Sequence, residues 1–424
     1  MGRRGSVRRG LSTLSEKTLP RVLLDVSPIG ARPESRTGLA RVSLSLARAL
    51  AANPEVALQT CAWGSLVATD EFDAVKREFP DLNGVSMRRG SIESAYMNRQ
   101  RSGRQFGPPW LWRGIGQAVN RLRNPLDGVE LDTIDVVHST YARFPRSLRH
   151  SSVATVMTLH DLMPLRLPAS YFEPGQIGIT RRIVDGARAA TWVACVSEHT
   201  RREFLEYSGF PEERSLSIPN GVAHDRFYPE PDAVFVEAVR QRYGIGEAPF
   251  LLTLSSLAPH KNLRMLIEAW GCCRKSGEGL LVVAGGKTTD PAMLEQAIGL
   301  NANVRGIVLT GFVADDEFRA LASSCQAFLF PSLYEGFGLP VLEAMACGAP
   351  VICSNRTSLP EVVGEAGRLL DPTDGDAWAE AMEEAMTSNP RAIPVHASLE
   401  RASRFSWANT AARYIDLYRK AMSG

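Results

Sequence analysis

Two glutamates, Glu335 and Glu343, flank a glycine-rich loop in the run FLFPSLYEGFGLPVLEAMACGAPVICS, residues 328–354. A carboxylate held among backbone N–H donors can accept hydrogen bonds from sugar hydroxyls. Gly336 and Gly338 would let the backbone come close to a ligand. Taken singly, Glu343 could be only a helix-dipole partner and Glu335 only a solvated loop acid. Together these residue types favour a ligand that is both phosphorylated and rich in hydroxyl groups.

The surrounding pattern predicts the elements that position this loop. The short apolar run 327–330 suits a buried parallel strand. Pro340 suits the first turn of a helix over 341–347, which Gly348 would end before a strand beginning at Val351. The loop would therefore lie at the carboxyl end of a strand and at a helix N-terminus, where free N–H groups favour phosphate.

The spacing of Glu335 and Glu343, with seven residues between them across EGFGLP and an apolar helix, resembles the signature of retaining glycosyltransferases of family 4. The resemblance implies an α/β protein of the GT-B fold. Such a fold has two Rossmann-like domains facing across a cleft and a C-terminal helix that crosses back to the first domain. The predicted parts are a disordered basic tail (1–20), an N-terminal acceptor domain (21–230), a C-terminal nucleotide-sugar domain (245–404) and the crossover helix (405–424).

Other segments fit the same family. His160 lies in TLHDLMPL, which resembles a motif whose histidine reaches the donor sugar, and Lys261 lies in a Pro-x-Lys-Asn sequence that resembles a diphosphate-binding loop. The resemblance therefore implies catalytic roles for Lys261, on the diphosphate, His160, on the donor sugar, and Glu335, which would orient the hexose. The implied donor-binding residues are Gly38, Val313, Gly336, Phe337, Gly338, Leu339 and Glu343, the last on the ribose hydroxyls.

The implied reaction is transfer of a hexose, with mannose favoured, from a nucleoside diphosphate sugar with retention of anomeric configuration. GDP-mannose is favoured over UDP-sugars as the donor, and the acceptor would be a glycan or a polyprenyl-linked acceptor in cell-surface polysaccharide synthesis. No cofactor and no metal are expected, because a turn and a helix cap explain Asp374-Gly-Asp376 better than a metal motif does. The alternatives are a nucleotide-sugar epimerase or phosphorylase on the same fold, or a degenerate transferase that acts as a scaffold.

The charge distribution of the sequence indicates where the protein works rather than which reaction it catalyses. The chain of 424 residues has a net charge of +2, but Lys and Arg exceed Asp and Glu by seven in residues 1–230. Residues 81–125 hold eight arginines around Trp110 and Trp112, which suits an anionic membrane surface, although a solvated loop remains the alternative. Nucleic acid is not an expected partner. Seven cysteines without a C-x-x-C pair predict reduced thiols and a cytoplasmic protein, peripheral on the inner face of the plasma membrane.

Overall fold

The structure is a computed structural model, and it describes residues 19–29, 38–64, 72, 75–82, 84, 126, 129–173, 175–273, 279–285, 306–387 and 395–424. Residues 1–18 of the predicted tail and residues 85–125 of the arginine-rich segment lie outside the described residues, as do Trp110 and Trp112. Within the described part, no helix is long and apolar enough to cross a membrane.

The first sheet is parallel throughout, with the strand order β2-β1-β3-β4-β5-β6. Its inner strands are buried along nearly their whole length, as apolar runs covered on both faces must be. The strands are Arg21–Asp25 (β1), Ala57–Cys61 (β2), Val136–Ser139 (β3), Ala154–Leu159 (β4), Trp192–Cys195 (β5) and Ser215–Ser217 (β6). Strand β4 ends at Leu159, so His160 lies just past its carboxyl end.

The second sheet is also parallel, with the order β12-β11-β10-β7-β8-β9. Its strands are Phe250–Leu254 (β7), Leu280–Ala284 (β8), Ile307–Gly311 (β9), Ala327–Phe330 (β10), Val351–Ser354 (β11) and Arg368–Leu370 (β12). This is the order of a doubly wound dinucleotide-binding fold, with its switch point between β7 and β10. Ligands of such folds bind outside the carboxyl ends of the strands at that point.

Helices cover both sheets and connect the strands. In the first half they are Gly38–Ala51 (α1), Met163–Arg166 (α2), Gln176–Arg188 (α3) and Glu198–Ser208 (α4). In the second half they are Ala233–Arg242 (α5), Leu263–Cys272 (α6), Asp315–Ser324 (α7), Leu339–Ala346 (α8), Leu359–Val363 (α9), Gly375–Thr387 (α10), Val395–Ser403 (α11) and Trp407–Ser423 (α12). Ser197 caps α4, because its side chain accepts a hydrogen bond from the backbone N–H of Thr200 at the start of that helix.

Helix α12 packs on the first sheet although it ends the chain. Its buried face carries Tyr414 and Tyr418, whose hydroxyls hydrogen-bond Thr158 and His138 at 2.7 Å each. The chain thus passes between the two halves twice. The two passages lie side by side, because Val222 forms a bridge with Ser406 and its N–H donates to Phe405 O at 3.2 Å.

Candidate functional site

The loops that follow β7 and β10 meet at the switch point of the second sheet. After β7, Asn262 adopts a left-handed conformation (φ 58°), and its side-chain amide donates to Pro331 O at 3.2 Å and to Pro372 O at 2.7 Å. The N–H of Leu333 donates to His260 O at 2.7 Å. These bonds fasten the first loop to the second, and asparagine tolerates the backbone conformation that they require.

This junction brings Lys261 and Glu335 together. Lys261 Nζ lies 2.6 Å from Glu335 Oε1 and 5.2 Å from the centre of the Phe330 ring. Both side chains are mostly buried, with 20% and 14% of their areas exposed. At this distance the ammonium neutralises the carboxylate. A bound diphosphate would offer the ammonium a stronger partner and free Glu335 to accept hydrogen bonds from hydroxyls.

The glycine-rich loop leads directly into α8. Gly338 caps the helix with a φ of 108°, a conformation that glycine adopts at low cost. Within the described residues, no acceptor takes the backbone N–H groups of residues 336–339. The Phe337 side chain, in contrast, is buried against Phe405 in the core, so only its backbone could face a ligand. The loop therefore presents free donors beside Glu335, as an anion-binding helix N-terminus requires.

Glu343 faces a separate cavity of about 420 Å³ between the halves, which Val313 and Leu339 also line. Arg41 of α1 lies across it, with its guanidinium 2.9 Å from Glu343 Oε1 and 3.5 Å from Asp315. Burial outweighs this attraction and raises the pKa of Glu343 to about 7. A buried carboxylate beside a cavity of this size can bind the hydroxyls of a ribose-sized group.

His160 and Asp161, just past β4, form the wall of the site that faces the glycine-rich loop. His160 Nε2 lies 2.8 Å from Thr140 O, which can only accept, so this nitrogen carries the proton and Nδ1 is left as an acceptor. Burial lowers the pKa of His160 to about 4, so the ring is neutral at physiological pH. Burial, together with the nearby charges of Glu335 and Glu203, raises the pKa of Asp161 to about 6.

The two halves touch closely at Gly336. A Cβ atom added there would lie 1.9 Å from His160 O and 2.9 Å from Asp161 Cβ. Gly336 O accepts a hydrogen bond from Ser197 Oγ at 2.7 Å. At the same interface, the carboxylate of Glu361 accepts the first two N–H groups of α4 at 2.8 and 2.7 Å. The glycine-rich loop is thus pressed against the His160–Asp161 segment, which places the two walls of the site in contact.

A further contact fixes the residue that precedes Glu335. The Tyr334 hydroxyl donates to a Glu203 carboxylate oxygen and accepts from the N–H of Leu162 at 3.4 Å. Only 3% of Tyr334 is exposed, so its hydroxyl needs these partners. Tyr334 therefore connects the loop after β10 to helix α4 and to the segment after β4.

The predicted residues thus form two neighbouring groups joined by α8. Lys261 and Glu335 pair in one group, where the backbone of His160 approaches the neighbouring Gly336, and Glu343, Val313 and Leu339 line the cavity at the other. Gly38 begins α1 but is not part of the cavity lining, and a Cβ there would meet no atom within 4 Å. The structure therefore gives no steric reason for glycine at that position.

The sequence analysis assigned no role to Asp161 or to Arg41. The signal for Asp161 was its place directly after His160 beyond a strand end, where the ligand crevice of a doubly wound sheet lies. Asp374 accepts a hydrogen bond from Ala377 N at 3.0 Å, which is the cap that the sequence predicted. Among the described residues, no three His, Cys, Asp or Glu side chains are grouped as metal ligands.

Two protein-family profiles match the chain. The profile described as Glycosyltransferase Family 4 matches residues 36–226, and the profile described as Glycosyl transferases group 1 matches residues 248–388. The two matches fall on the first and the second sheet. Together they account for both halves of the cleft.

Curated relatives match over the same halves. The "Serotype-specific mannosyltransferase WbdA" of Escherichia coli is 33% identical over 62% of this chain, and the match covers 33% of that protein's length. The chain therefore spans about a third of the first relatives that it matches. The "O-antigen chain mannosyltransferase B" of Escherichia coli is 30% identical over 64% of this chain and 72% of its own length. A "GDP-mannose-dependent alpha-(1-6)-phosphatidylinositol monomannoside mannosyltransferase" of Mycobacterium tuberculosis is 33% identical over 57% of this chain and 64% of its own.

Solved structures share the architecture. The crystal structure of Anabaena HepE in complex with UDP and glucose superposes with a TM-score of 0.64 at 17% identity, and the match covers 94% of this chain and 99% of that one. At this identity the likeness shows the fold. The predicted arrangement of two Rossmann-like domains around a cleft is confirmed, whereas the predicted domain boundaries stay predictions.

Proposed function

Since the chain belongs to glycosyltransferase family 4, we propose that it transfers mannose from GDP-mannose to a glycan or lipid-linked acceptor with retention of anomeric configuration. Three relatives whose names state mannosyl transfer support the sugar. The printed name of the mycobacterial relative, which specifies GDP-mannose, supports the nucleotide. The excess of basic residues in the first half supports work in the cytoplasm at the inner face of the membrane.

The observation that carries the proposal is the Lys261–Glu335 pair beside the free N–H groups of the glycine-rich loop. In the proposed complex, Lys261 and those N–H groups hold the diphosphate of the donor. Glu335 then binds hydroxyls of the hexose, and Glu343 binds the ribose in the neighbouring cavity. The protein thus supplies positioning and charge stabilisation, which are the main sources of catalysis in such transfers.

The chemical step exchanges one bond at the sugar's anomeric carbon for another on the same face. The bond from that carbon to the diphosphate oxygen breaks, and its electron pair leaves with the diphosphate. The acceptor oxygen forms the new bond, and its proton passes to the departing phosphate oxygen. Neutral His160 can accept a hydrogen bond at Nδ1 from a sugar hydroxyl, which orients the sugar without adding charge.

Asp161 favours a specific second candidate, an inverting transfer. In that scheme a carboxylate on the opposite face of the sugar removes the acceptor's proton, and a carboxyl with a pKa of about 6 is suited to this work. Asp161 also lies beside Glu335, so it is well placed to touch the sugar. Proton NMR of the product distinguishes the two schemes directly.

The proposal is tested with a panel of nucleotide sugars scored by release of the nucleotide. GDP-mannose should be the best donor, and Glu335→Gln should abolish its use. Glu365→Gln is the matched control, because Glu365 is an exposed acid in the same half whose side chain forms no hydrogen bond or ion pair among the described residues. Equal use of UDP-glucose, or no loss in Glu335→Gln, would contradict the assignment.

Two alternatives give different results in the same assay. An epimerase or phosphorylase on this fold would convert the donor without any acceptor into an isomeric nucleotide sugar or a sugar phosphate. A degenerate transferase that acts as a scaffold would neither hydrolyse nor transfer with any donor. Product analysis with and without acceptor separates these outcomes.

A further inference from the structure

A second cavity, of about 510 Å³, lies entirely within the first half of the chain. It is formed by residues that follow β1, β2 and β3 together with one face of α3 and the start of α1. Its lining residues are Ser27, Pro28, Leu39, Gly64, Tyr141, Ala142, Arg143, Ile179, Arg182 and Ile183. Strands β1 and β3 are neighbours at the switch point of the first sheet, which is where such a sheet binds ligands.

The cavity combines apolar surface with unpaired positive charge. Ile179, Arg182 and Ile183 share one face of α3, and 41% of Ile179 is exposed there. Arg143 projects from the loop after β3. Among the described residues, neither Arg143 nor Arg182 forms an ion pair. Two unpaired guanidiniums over exposed isoleucine favour an anion that carries an apolar group.

The lining also lacks the groups that recognise a neutral sugar. Among the described lining residues there is no Asp, Glu, Asn or Gln, the side chains that accept hydrogen bonds from hydroxyls while fixing their orientation. The nearby carboxylate of Asp25 is fully buried and does not line the cavity: its Oδ1 accepts hydrogen bonds from Ser27 and from the N–H of Trp63, whereas its Oδ2 has no hydrogen-bond partner among the described residues. Ser27 Oγ in turn accepts from Gly64 N at 2.8 Å. The polar character of the cavity therefore comes mainly from its two arginines.

One end of the cavity adjoins the site already described. Tyr141 lines the cavity, and the preceding residue, Thr140, accepts the hydrogen bond from His160. Burial raises the pKa of Tyr141, and the nearby charge of Asp161 adds to the effect, so the phenol lies close to that carboxylate. A ligand in the cavity would thus reach the wall where the proposed transfer takes place.

We propose that this cavity binds the phosphate headgroup and first carbons of a lipid-linked acceptor. The inference rests on the proposed function and names the acceptor class for the same reaction. Arg143 and Arg182 hold the phosphate, and the first carbons of the lipid lie on Ile179 and Ile183. The cavity lies within the usual size range of small-ligand sites, roughly 300–1,000 Å³, so the remainder of the lipid stays outside.

The test is calorimetric titration of the full chain with farnesyl diphosphate, farnesol and inorganic diphosphate, each in saturating GDP. The GDP occupies the proposed donor site, so the probes report on a different site. Farnesyl diphosphate should bind at least about tenfold more tightly than either of the other two, because only it satisfies both the arginines and the isoleucines. Equal binding of inorganic diphosphate would mean a simple anion site and would overturn the lipid assignment.

Substitutions in the lining test whether farnesyl diphosphate binds in this cavity. Arg143→Gln and Arg182→Gln should each weaken farnesyl diphosphate binding by about tenfold, because each loses a charged hydrogen bond. Arg188→Gln is the matched control, since Arg188 is an exposed arginine of α3 outside the lining, and it should bind like the wild-type. No measurable binding, or equal losses in all three variants, would overturn the proposal.

Hydrolysis of GDP-mannose without an acceptor tests the proposed function separately from the proposed acceptor site. Hydrolysis of GDP-mannose without acceptor, measured on the wild-type protein and on Arg188→Gln, reports on the donor site independently of the lipid probe. Intact donor hydrolysis with no lipid phosphate binding would reject the acceptor site alone. Lipid phosphate binding without any donor use would reject the proposed function and leave the cavity as a lipid phosphate site.

Discussion

The close approach at Gly336 makes a quantitative prediction about Gly336→Ala. Gly336 is not among the glycines with positive φ, so alanine fits the backbone there and only the contact across the cleft is disturbed. The new Cβ would lie 1.9 Å from His160 O, whereas ordinary contact begins near 3.4 Å, so the loop must retreat by about 1.5 Å. Since a misplacement of 1 Å can cost about 100-fold in rate, we expect kcat to fall by about that factor.

The assay compares kcat and donor KM of Gly336→Ala with those of Gly375→Ala. A Cβ at Gly375 would meet no atom within 4 Å, and Gly375 lies at the start of α10, so this variant controls for the glycine-to-alanine change itself. Circular dichroism should be unchanged in both, because the clash lies between the halves rather than in either core. A Gly336→Ala enzyme that turns over like the wild-type would show that the contact does not position Glu335.

The remaining predictions concern single groups. Glu335→Ala should abolish transfer while leaving the fold intact, and transfer at the wild-type rate would remove Glu335 from the mechanism. Because burial raises the pKa of Glu343 to about 7, this acid gains a proton below that pH, so donor KM should rise as the pH falls through 7 and Glu343→Gln should abolish the change. Activity should survive EDTA; complete loss that Mn²⁺ restores would make Asp374 and Asp376 metal ligands after all. The product should retain the anomeric configuration of the donor, and an inverted product by NMR would assign the base role to Asp161.

The sequence predicted the strand, loop and helix that carry Glu335 and Glu343 because the signals for these elements are local. A four-residue apolar run, two glycines and a proline specify the strand, loop and helix, and the structure has β10 over Ala327–Phe330 and α8 from Leu339. The sequence placed Lys261 and Glu335 in the site separately, with different roles, and did not predict that they form a pair. Both residues come just after strands, and adjacent parallel strands present their carboxyl ends at one edge.

The contacts between the halves could not be predicted in the same way. The Arg41–Glu343 pair joins residues about 300 positions apart, and the approach of Gly336 to His160 depends on how two separately folded sheets meet. No periodicity or cap encodes that relative placement. The same reason explains why Asp161 gained a role only in three dimensions, since its pKa is raised first by burial and then by the charge of Glu335 from the other half.

The two chain segments that cross between the halves are bridged at Val222 and Ser406, and this bridge restricts how the halves can move relative to each other. Two chain segments joined by a backbone hydrogen bond resist shear far better than one segment does, so the halves should swing about a single line and not slide past each other. Gly221 leaves no space at this hinge, because a Cβ there would lie 2.3 Å from Trp407 N. Every opening of the cleft should therefore be a rotation that separates Gly336 from His160 and, on reversal, restores the same register between them.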